Sequence, residues 1–267
     1  MDELAAYNRE RWNALVDAGV EYSKPWLDLT PDTARQRLDK RNWLGDVVDK
    51  DVLCLANGGG QQSAAFAMLG AHCTVFDLSD AQLANDRRTA DHHGLAVRIE
   101  QGDMRDLSRF ADDAFDLVWQ AYSINFVPDP ERVFDEVQRV LKPGGRYVLD
   151  FSNPHRFSIP KDTWVPDVGY GLMLPYRDGE IYQDDGMWDV EQPDGRWAKV
   201  RGPREFSHTW GKLINALAGR NFMIQHCSEW MRETPNAEVG SWPHYTQTMP
   251  PYITYWMRLI IPAVASQ

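Results

Sequence analysis

The chain has 267 residues, of which 43% are apolar and 25% are charged, a globular composition that is long enough for one large α/β domain. Its formal net charge of −11 argues against electrostatic binding along a nucleic-acid backbone or an anionic membrane. No apolar run reaches membrane-spanning length and the opening residues, MDELAAYNRERW, are unlike a signal peptide, so we expect a cytoplasmic protein.

The N-terminal segment is expected to contain two helices. Residues 1–18 carry apolar side chains at helical spacing. A second helix should begin after Thr30, whose hydroxyl can accept from an exposed N–H group, with Pro31 in the first turn.

Residues 49–151 alternate between short apolar runs and amphipathic stretches. The predicted elements are strands at 51–56, 73–77, 97–101, 116–121 and 146–151, and helices at 62–69, 80–93, near 105–110 and 130–141. Such alternation predicts right-handed crossovers and a doubly wound, mostly parallel sheet that is covered on both faces. Ligands of these sheets bind beyond the carboxyl ends of the strands.

The first two strands carry the strongest local signal. Asp51 to Ala56 runs into three consecutive glycines and a helix, and the next strand ends at Asp77. Glycines let a ligand approach the backbone closely, and the helix presents free N–H groups to the same point. An acid in this place can accept hydrogen bonds from a ribose, so the stretch predicts a pocket for a nucleoside-bearing cofactor. The alternatives are a tight turn that only packs the helix on the sheet, and a solvated strand end at Asp77.

The three cysteines, Cys54, Cys73 and Cys227, all lie in apolar, strand-like runs and form no C-x-x-C pair. Free cysteine behaves as a small hydrophobic residue. The pattern therefore predicts buried thiols, and neither a disulfide framework nor a metal site.

Three later motifs extend the cofactor signal. They are IEQGDMRDL at 99–107, FDLVWQAYSINFVPD at 115–129 and VFDEVQRVLKPGGRYVLDF at 133–151. Their order and spacing resemble the class I S-adenosylmethionine-dependent methyltransferases over residues 50–151. The resemblance implies S-adenosylmethionine as the cofactor and a seven-stranded, Rossmann-like sheet whose last strand is antiparallel. Cys54 and Ala56 depart from the usual family turn, although the turn LANGGGQQ is similar to one in a bacterial branch of the family.

The resemblance also implies a role for each strand end. The glycine turn should pass beside the methionine portion and the ribose, Asp77 should accept from the ribose hydroxyls, and Leu78 should flank the adenine. Asp103 should accept from the adenine amino group, unless it only caps a following helix, and Gln120 lies where the family uses a main-chain carbonyl. The expected cofactor-binding residues are Tyr22, Ala56, Asn57, Gly58, Gly60, Gln62, Asp77, Leu78, Asp103, Met104 and Gln120.

Two of these residues have further alternatives. In such families an N-terminal extension, here residues 1–48, often folds over the cofactor, and Tyr22 is placed in that cover. The alternative is a pair of helices that packs only on the sheet edge. Gln62 either touches the cofactor's carboxylate or is part of a polar first turn.

Residues 152–207 break the alternation and are rich in glycine, proline, aromatic and acidic residues. Turn signals occur at Arg177-Asp178-Gly179, Asp185-Gly186 and Pro193-Asp194-Gly195, with short runs such as EIYQ between them. This predicts a small antiparallel insertion on the substrate side. Residues 208–267 should add a helix after Thr209, a strand at 222–230 and the antiparallel last strand, so we expect a single domain over 1–267.

The acceptor side is less legible than the cofactor side. Tyr122 follows the fourth strand, His155 follows the fifth and His208 precedes the C-terminal helix, so all three are candidate catalytic residues. A histidine near neutral pH can remove a proton from a hydroxyl or an amine. A purely structural role is the alternative for each histidine.

The predicted function is methyl transfer from S-adenosylmethionine to oxygen or nitrogen of a small, partly apolar or aromatic molecule. No nucleic-acid or membrane partner is expected, and the oligomeric state stays open. The alternatives are a non-catalytic S-adenosylmethionine-binding protein and a nucleotide-dependent oxidoreductase. The oxidoreductase fingerprint fails because, counting from Gly58, Ser63 occupies the place of the third glycine.

Overall fold

A computed structural model describes residues 1–180, 186–192 and 194–260. Within the predicted insertion, Asp185, Pro193 and most of the EIYQ run lie outside the described residues. The described α-helices are α1 (Glu3–Asp17), α2 (Pro31–Leu38), α3 (Gln62–Met68), α4 (Asp80–His93), α5 (Pro130–Val140), α6 (Trp210–Ala218) and α7 (Trp242–Thr248). The described strands are β1 (Asp51–Leu55), β2 (His72–Asp77), β3 (Val97–Gln101), β4 (Phe115–Gln120), β5 (Leu141–Ser152), β6 (Trp164–Val165), β7 (Gly169–Tyr170), β8 (Gly179–Glu180), β9 (Met187–Glu191), β10 (Trp197–Arg201), β11 (Phe206–Ser207), β12 (Phe222–Trp230) and β13 (Tyr252–Leu259).

The central sheet has seven strands in the order β12-β13-β5-β4-β1-β2-β3. Strands β1 to β5 pair in parallel, whereas β13 runs antiparallel to both of its neighbours, β5 and β12. The predicted doubly wound, mostly parallel sheet with an antiparallel last strand is therefore confirmed. The carboxyl ends of β1, β2, β4 and β5 meet at one edge of the sheet, where the candidate site lies.

The core occupies both faces of the sheet, as a crossover topology requires. Along β1, Val52 and Cys54 pack into one buried cluster, and Leu53 and Leu55 pack into the cluster on the other face. All four side chains are fully buried. This explains why the strand reads as a continuous apolar run and not as an alternating one.

Helix α1 packs against the site edge of the sheet. Asn8 in α1 donates to the carbonyl of Phe126 at 3.1 Å, and Asn13 accepts from the Ser79 hydroxyl at 2.6 Å. The predicted cap of α2 is present, because Thr30 accepts from the N–H of Thr33. Helix α1 therefore lies beside the carboxyl ends of the strands.

The prediction of a helix near 105–110 is wrong, because this segment forms turns. Asp103 and Asp106 each accept from the backbone N–H two residues further on. From α5, Glu136 accepts from the N–H of Leu107, and Arg139 donates to the carbonyls of Leu107 and Phe110. Side chains thus take the backbone groups that a helix would have paired internally.

The insertion consists of antiparallel strand pairs, β6 with β7, β9 with β10 and β8 with β11, as its turn signals predicted. Helix α7 was not predicted, although Ser241 followed by Trp-Pro is an N-cap signal, and Ser241 accepts from the N–H of His244.

Cys54 and Cys73 are buried as predicted, but the prediction for Cys227 is wrong because this residue is exposed. It lies on β12, an edge strand of the sheet, where most side chains face solvent. Across the described residues, no helix has both the length and the apolar character needed to cross a bilayer. Nor does any group of three or more His, Cys, Asp or Glu side chains in the same residues suit a metal ion.

Candidate active site

A cavity of about 1000 Å³ opens at the carboxyl edge of the sheet and has two sides of different character. We call the part lined by Asn57, Gly58, Asp77 and Asp103, where the sequence analysis expects the cofactor, the cofactor side. The part lined by Tyr122 and by residues from α1, the insertion and the C-terminal elements is the acceptor side, which includes Arg156, Glu205, Trp242 and Tyr252.

The glycine turn is joined to the end of β2 by direct hydrogen bonds. The N–H of Gly58 donates to one carboxyl oxygen of Asp77 at 2.9 Å, and the N–H of Ser79 donates to the other at 2.8 Å. A Cβ on Gly58 would lie 2.7 Å from the Cβ of Gln82, so only glycine fits at this point. Burial raises the pKa of Asp77, and the backbone N–H groups offset part of that rise.

A second carboxyl group, which the sequence analysis did not identify, binds the same turn from helix α4. Asp86 in α4 accepts from the N–H of Gly59 at 2.8 Å and is hydrogen-bonded to the hydroxyl of Ser63. Burial raises the pKa of Asp86 to about 7. Cys54 of β1 packs against Cys73, with 3.7 Å between the sulfurs. The turn is therefore anchored from a helix and not from β1.

Asp103 lies at the next strand end and is bound by Arg105. The guanidinium donates to Asp103 from Nη2 at 2.6 Å and from Nε at 3.1 Å, and Nη2 also reaches Asp2 at 2.9 Å. The hydrogen bond from Arg105 lowers the pKa of Asp2 to about 2. Because Asp2 also caps α1 through the N–H of Ala5, this link ties the N-terminal helix to the site.

The acceptor side is built mainly from aromatic rings that come from separate segments. Trp12 of α1 packs edge-to-face on Trp188 of β9 with centroids 5.6 Å apart, and Tyr122 packs in the same way on Tyr252 at 5.2 Å. Trp242 lies close to Tyr252, at 6.4 Å between centroids. The result is an apolar, ring-lined space of the kind that encloses small organic ligands.

Comparison with known proteins agrees with this geometry. A methyltransferase-domain family model matches residues 53–149. The Bacillus subtilis protein named uncharacterized methyltransferase YbaJ is 35% identical over 197 residues, which cover 67% of this chain and 75% of the relative. The chain belongs to the class I S-adenosylmethionine-dependent methyltransferases.

Two further matches place this methyltransferase among better-described proteins. The ubiquinone/menaquinone biosynthesis C-methyltransferase UbiE of Bartonella henselae is 34% identical over 139 residues, which cover 47% of this chain and 52% of that protein. The chain thus spans about half the length of that relative. The crystal structure of an S-adenosylmethionine-dependent methyltransferase from Mesorhizobium loti superposes with a TM-score of 0.57 at 22% identity, covering 86% of this chain and all of that one. At that identity the likeness shows the fold.

The cofactor of this enzyme is S-adenosylmethionine, and the cofactor side suits it. Two residues of its lining, Asn57 and Gln82, each have a buried side-chain atom, Asn57 Nδ2 and Gln82 Oε1, without a hydrogen-bond partner in the described part of the chain. Buried polar atoms without partners are rare in folded proteins, so a ligand that reached these atoms would complete their hydrogen bonding. Each carboxyl oxygen of Asp77 accepts one hydrogen bond from a backbone N–H and keeps a lone pair for a further donor.

The structure brings most of the predicted cofactor residues to this cavity. Its lining includes Tyr22, Ala56, Asn57, Gly58, Gln62, Asp77, Leu78, Asp103 and Met104. Gly60 and Gln120 are not in the lining. Gln120 is fully buried, where its amide accepts from Tyr147 at 2.5 Å and donates to Ser123 at 2.9 Å. Gly60 packs against α4, where a Cβ would lie 2.2 Å from the Thr89 hydroxyl.

Of the three predicted catalytic residues, Tyr122 lines the cavity and the two histidines do not. The exposed His155 ring stacks on Tyr176 at 4.9 Å. His208 is 2% exposed, and its Nε2 lies 3.3 Å from the carbonyl of Ile124. Burial lowers the pKa of His208 to about 4, which keeps the ring neutral at physiological pH.

Arg156, Glu205 and Trp242 line the acceptor side but were not predicted. Arg156 directly follows His155, which the sequence analysis chose because it lies beyond the end of the fifth strand, so the same rule could have identified Arg156. Glu205 and Trp242 belong to the irregular insertion and to the unpredicted helix α7, where no motif marks them.

Proposed function

We propose that this methyltransferase transfers the methyl group of S-adenosylmethionine to oxygen or nitrogen of a small, partly apolar or aromatic molecule. The observation that carries the proposal is that one cavity joins the glycine turn and Asp77 to the ring-lined acceptor side. An acceptor bound among those rings lies next to the methionine end of the cofactor pocket.

In this proposal the cofactor side divides as the strand ends suggest. Asp77 accepts from the ribose hydroxyls, Asp103 and Met104 contact the adenine edge, and Asn57 and Gly58 contact the methionine portion. When bound, the cofactor supplies an electrophilic methyl group on a sulfonium. The protein's part is to hold the acceptor atom in line with that methyl group and to exclude water.

Tyr122 is the residue we assign to the acceptor. Burial raises the pKa of Tyr122 well above its ordinary value, so the phenol stays protonated near neutral pH and positions the acceptor through a hydrogen bond. The neighbouring Glu205 is the carboxyl group that can take the acceptor's proton, because burial raises the pKa of Glu205 above its ordinary value and makes it a stronger base. His155 and His208 take no part in this proposal, since neither lines the cavity.

A carbon acceptor is the second candidate, and the observation that favours it is the similarity to UbiE, a protein named as a C-methyltransferase. An electron-rich aromatic carbon can bind among the same rings. A nucleic-acid substrate does not fit the proposal, because the net charge of −11 opposes contact with a phosphate backbone.

The test is a transfer assay with methyl-labelled S-adenosylmethionine and a panel of phenols, aromatic amines and electron-rich aromatic carbon compounds. We expect label in a phenol or amine product, with the methyl position assigned by NMR and no product from the Asp77→Ala variant. Label on carbon would favour the second candidate. Tight cofactor binding without transfer to any small acceptor would contradict the proposal.

A further inference from the structure

The guanidinium of Arg156 is held by rings and makes little use of its hydrogen-bond donors. Its central carbon lies 5.0 Å from the ring centroid of Phe157, 5.3 Å from that of Tyr252 and 5.7 Å from that of Trp242. These cation–π contacts come from three different places in the sequence and fix the side chain in the cavity wall.

Both hydrogen bonds of Arg156 leave from one nitrogen and both are long. Nη1 lies 3.5 Å from the Tyr122 hydroxyl and 3.4 Å from the Ser152 hydroxyl, against roughly 2.7 to 3.2 Å for a typical N–H···O bond. In the described residues, Nε and Nη2 form no hydrogen bond, and no carboxylate pairs with the guanidinium within 4.0 Å. The Nε–Nη2 edge, the fork that binds carboxylates in bidentate fashion, is therefore unused.

The nearby acid compensates this charge only in part. Glu205 acts on Arg156 electrostatically but forms no ion pair with it, so it leaves the guanidinium open to a ligand. Burial raises the pKa of Glu205, so a proton is held there more readily than on an exposed carboxylate. Arg156 is half-buried in the cavity wall, where an anion on its free donor edge would gain charge-assisted hydrogen bonds.

The remaining charges around the cavity make Arg156 the preferred place for an anion. Asp150, Asp162 and Asp189 also line the cavity and repel negative groups. Arg105, the other arginine of this lining, is already paired with Asp2 and Asp103. Lys161 also lines the cavity, but it is an exposed lysine without the planar fork of an arginine.

We propose that Arg156 selects acceptors that carry a carboxylate or a similar planar anion, and that it orients them by binding this group through Nε and Nη2. The acceptor's aromatic body then packs against Tyr252 and Trp242, and its opposite end points toward the cofactor side. This inference rests on the proposed function, because it names the acceptor class of the same cavity.

The test measures binding by calorimetry, without any need for turnover. The probes are three matched pairs of an aromatic acid and its amide: benzoate and benzamide, 1-naphthoate and 1-naphthamide, and indole-3-acetate and indole-3-acetamide. We expect the wild-type enzyme to bind the acids at least about tenfold more tightly than the amides, as charge-assisted hydrogen bonds predict.

The Arg156→Gln variant should lose about 10- to 100-fold in affinity for the acids and less than threefold for the amides. Unchanged amide binding shows that the variant is folded. Arg156→Lys should fall between the two, since it keeps the charge and loses the fork. Arg87→Gln, at an exposed position on α4, is the matched control and should bind like the wild type.

Equal affinity for acid and amide in the wild-type enzyme, including no binding of either across the three pairs, would overturn the inference. So would an equal loss for both members of each pair in Arg156→Gln. A tenfold loss of S-adenosylmethionine affinity in that variant would also overturn it, because Arg156 would then hold the cofactor's own carboxylate. Acid binding through Arg156 without methyl transfer would instead refute the proposed function alone.

Discussion

The cofactor side and the acceptor side of the cavity are built in different ways. The cofactor side comes from residues 56–104, and its geometry rests on backbone groups, such as the N–H groups of Gly58 and Gly59 bound by Asp77 and Asp86. The acceptor side gathers side chains from α1, from the insertion and from the C-terminal elements. Backbone geometry is encoded by a short local motif, whereas ring packing between distant segments is not.

The two sides also differ in how their charged groups are satisfied. The carboxyl groups of Asp77, Asp86 and Asp103 each have close donors at 2.6 to 2.9 Å. Arg156 has only long hydrogen bonds and Glu205 has no ion pair in the described residues. We infer that the cofactor side is organised before any ligand binds, and that the acceptor side is completed by its ligand.

The largest expected effect is a loss of stability caused by a substitution in the glycine turn of the cofactor side. In Gly60→Ala the new Cβ would lie 2.2 Å from the Thr89 hydroxyl and 2.5 Å from the Asn85 carbonyl oxygen, at a φ of +72°. We expect a loss of about 4 kcal/mol in the free energy of unfolding, measured by urea denaturation. Gly94→Ala, at a φ of +64° with open space around it, is the control and should lose about 1 kcal/mol. Equal losses would show that the turn is not tightly packed on α4.

The next effect concerns cofactor affinity alone. Asp77→Ala removes the acceptor for the ribose hydroxyls and leaves the N–H of Gly58 unpaired, so calorimetry should show S-adenosylmethionine affinity reduced about 100-fold. Asp91→Ala, at an exposed position on α4, should bind the cofactor normally. A wild-type affinity for S-adenosylmethionine in Asp77→Ala would show that Asp77 does not bind the cofactor.

The pH dependence of stability tests whether Asp86 anchors the turn. The folded pKa of Asp86, about 7, lies above its ordinary value of 3.8, so the unfolded chain releases this proton at lower pH than the folded chain. Asp86 therefore disfavours folding increasingly as pH rises from about 4 to 7, and its contribution levels off above pH 7.

Asp86→Asn keeps an oxygen for the N–H of Gly59 and cannot ionise. Between pH 5 and 7 the wild-type protein should lose about 1 to 2 kcal/mol of unfolding free energy relative to this variant. Asp91→Asn should show no such difference. A wild-type profile parallel to that of Asp86→Asn would mean that Asp86 titrates normally.

The smallest effect should fall on the acceptor side only. Tyr122→Phe removes the hydroxyl proposed to position the acceptor, so kcat/KM for a methylated acceptor should fall about tenfold. The Kd of S-adenosylmethionine should stay within twofold of the wild-type value, because the ring is retained. Tyr7→Phe, outside the described cavity lining, is the matched control. A parallel loss of cofactor affinity would show that the two sides are not separable.

Several features of the site were predictable because each depends on residues that are close in sequence. The glycine turn, the acid at the end of the next strand and the RVLKPGG segment specify a parallel sheet and its ligand edge, and the antiparallel last strand follows from the family resemblance. The prediction of a helix near 105–110 was wrong because Glu136 and Arg139, which lie 29 and 32 residues from Leu107, bind the backbone groups of this segment.

The sequence by itself determined the fold class, through the alternation of strands and helices, and the family, through motifs that resemble those of known members. Only the tertiary structure decided that Tyr122 faces the cavity while His155 and His208 do not, and that Arg156 stands among three aromatic rings. The physical reason is that side-chain burial and charge environment depend on which distant segments pack together. Neither periodicity nor local spacing records that information.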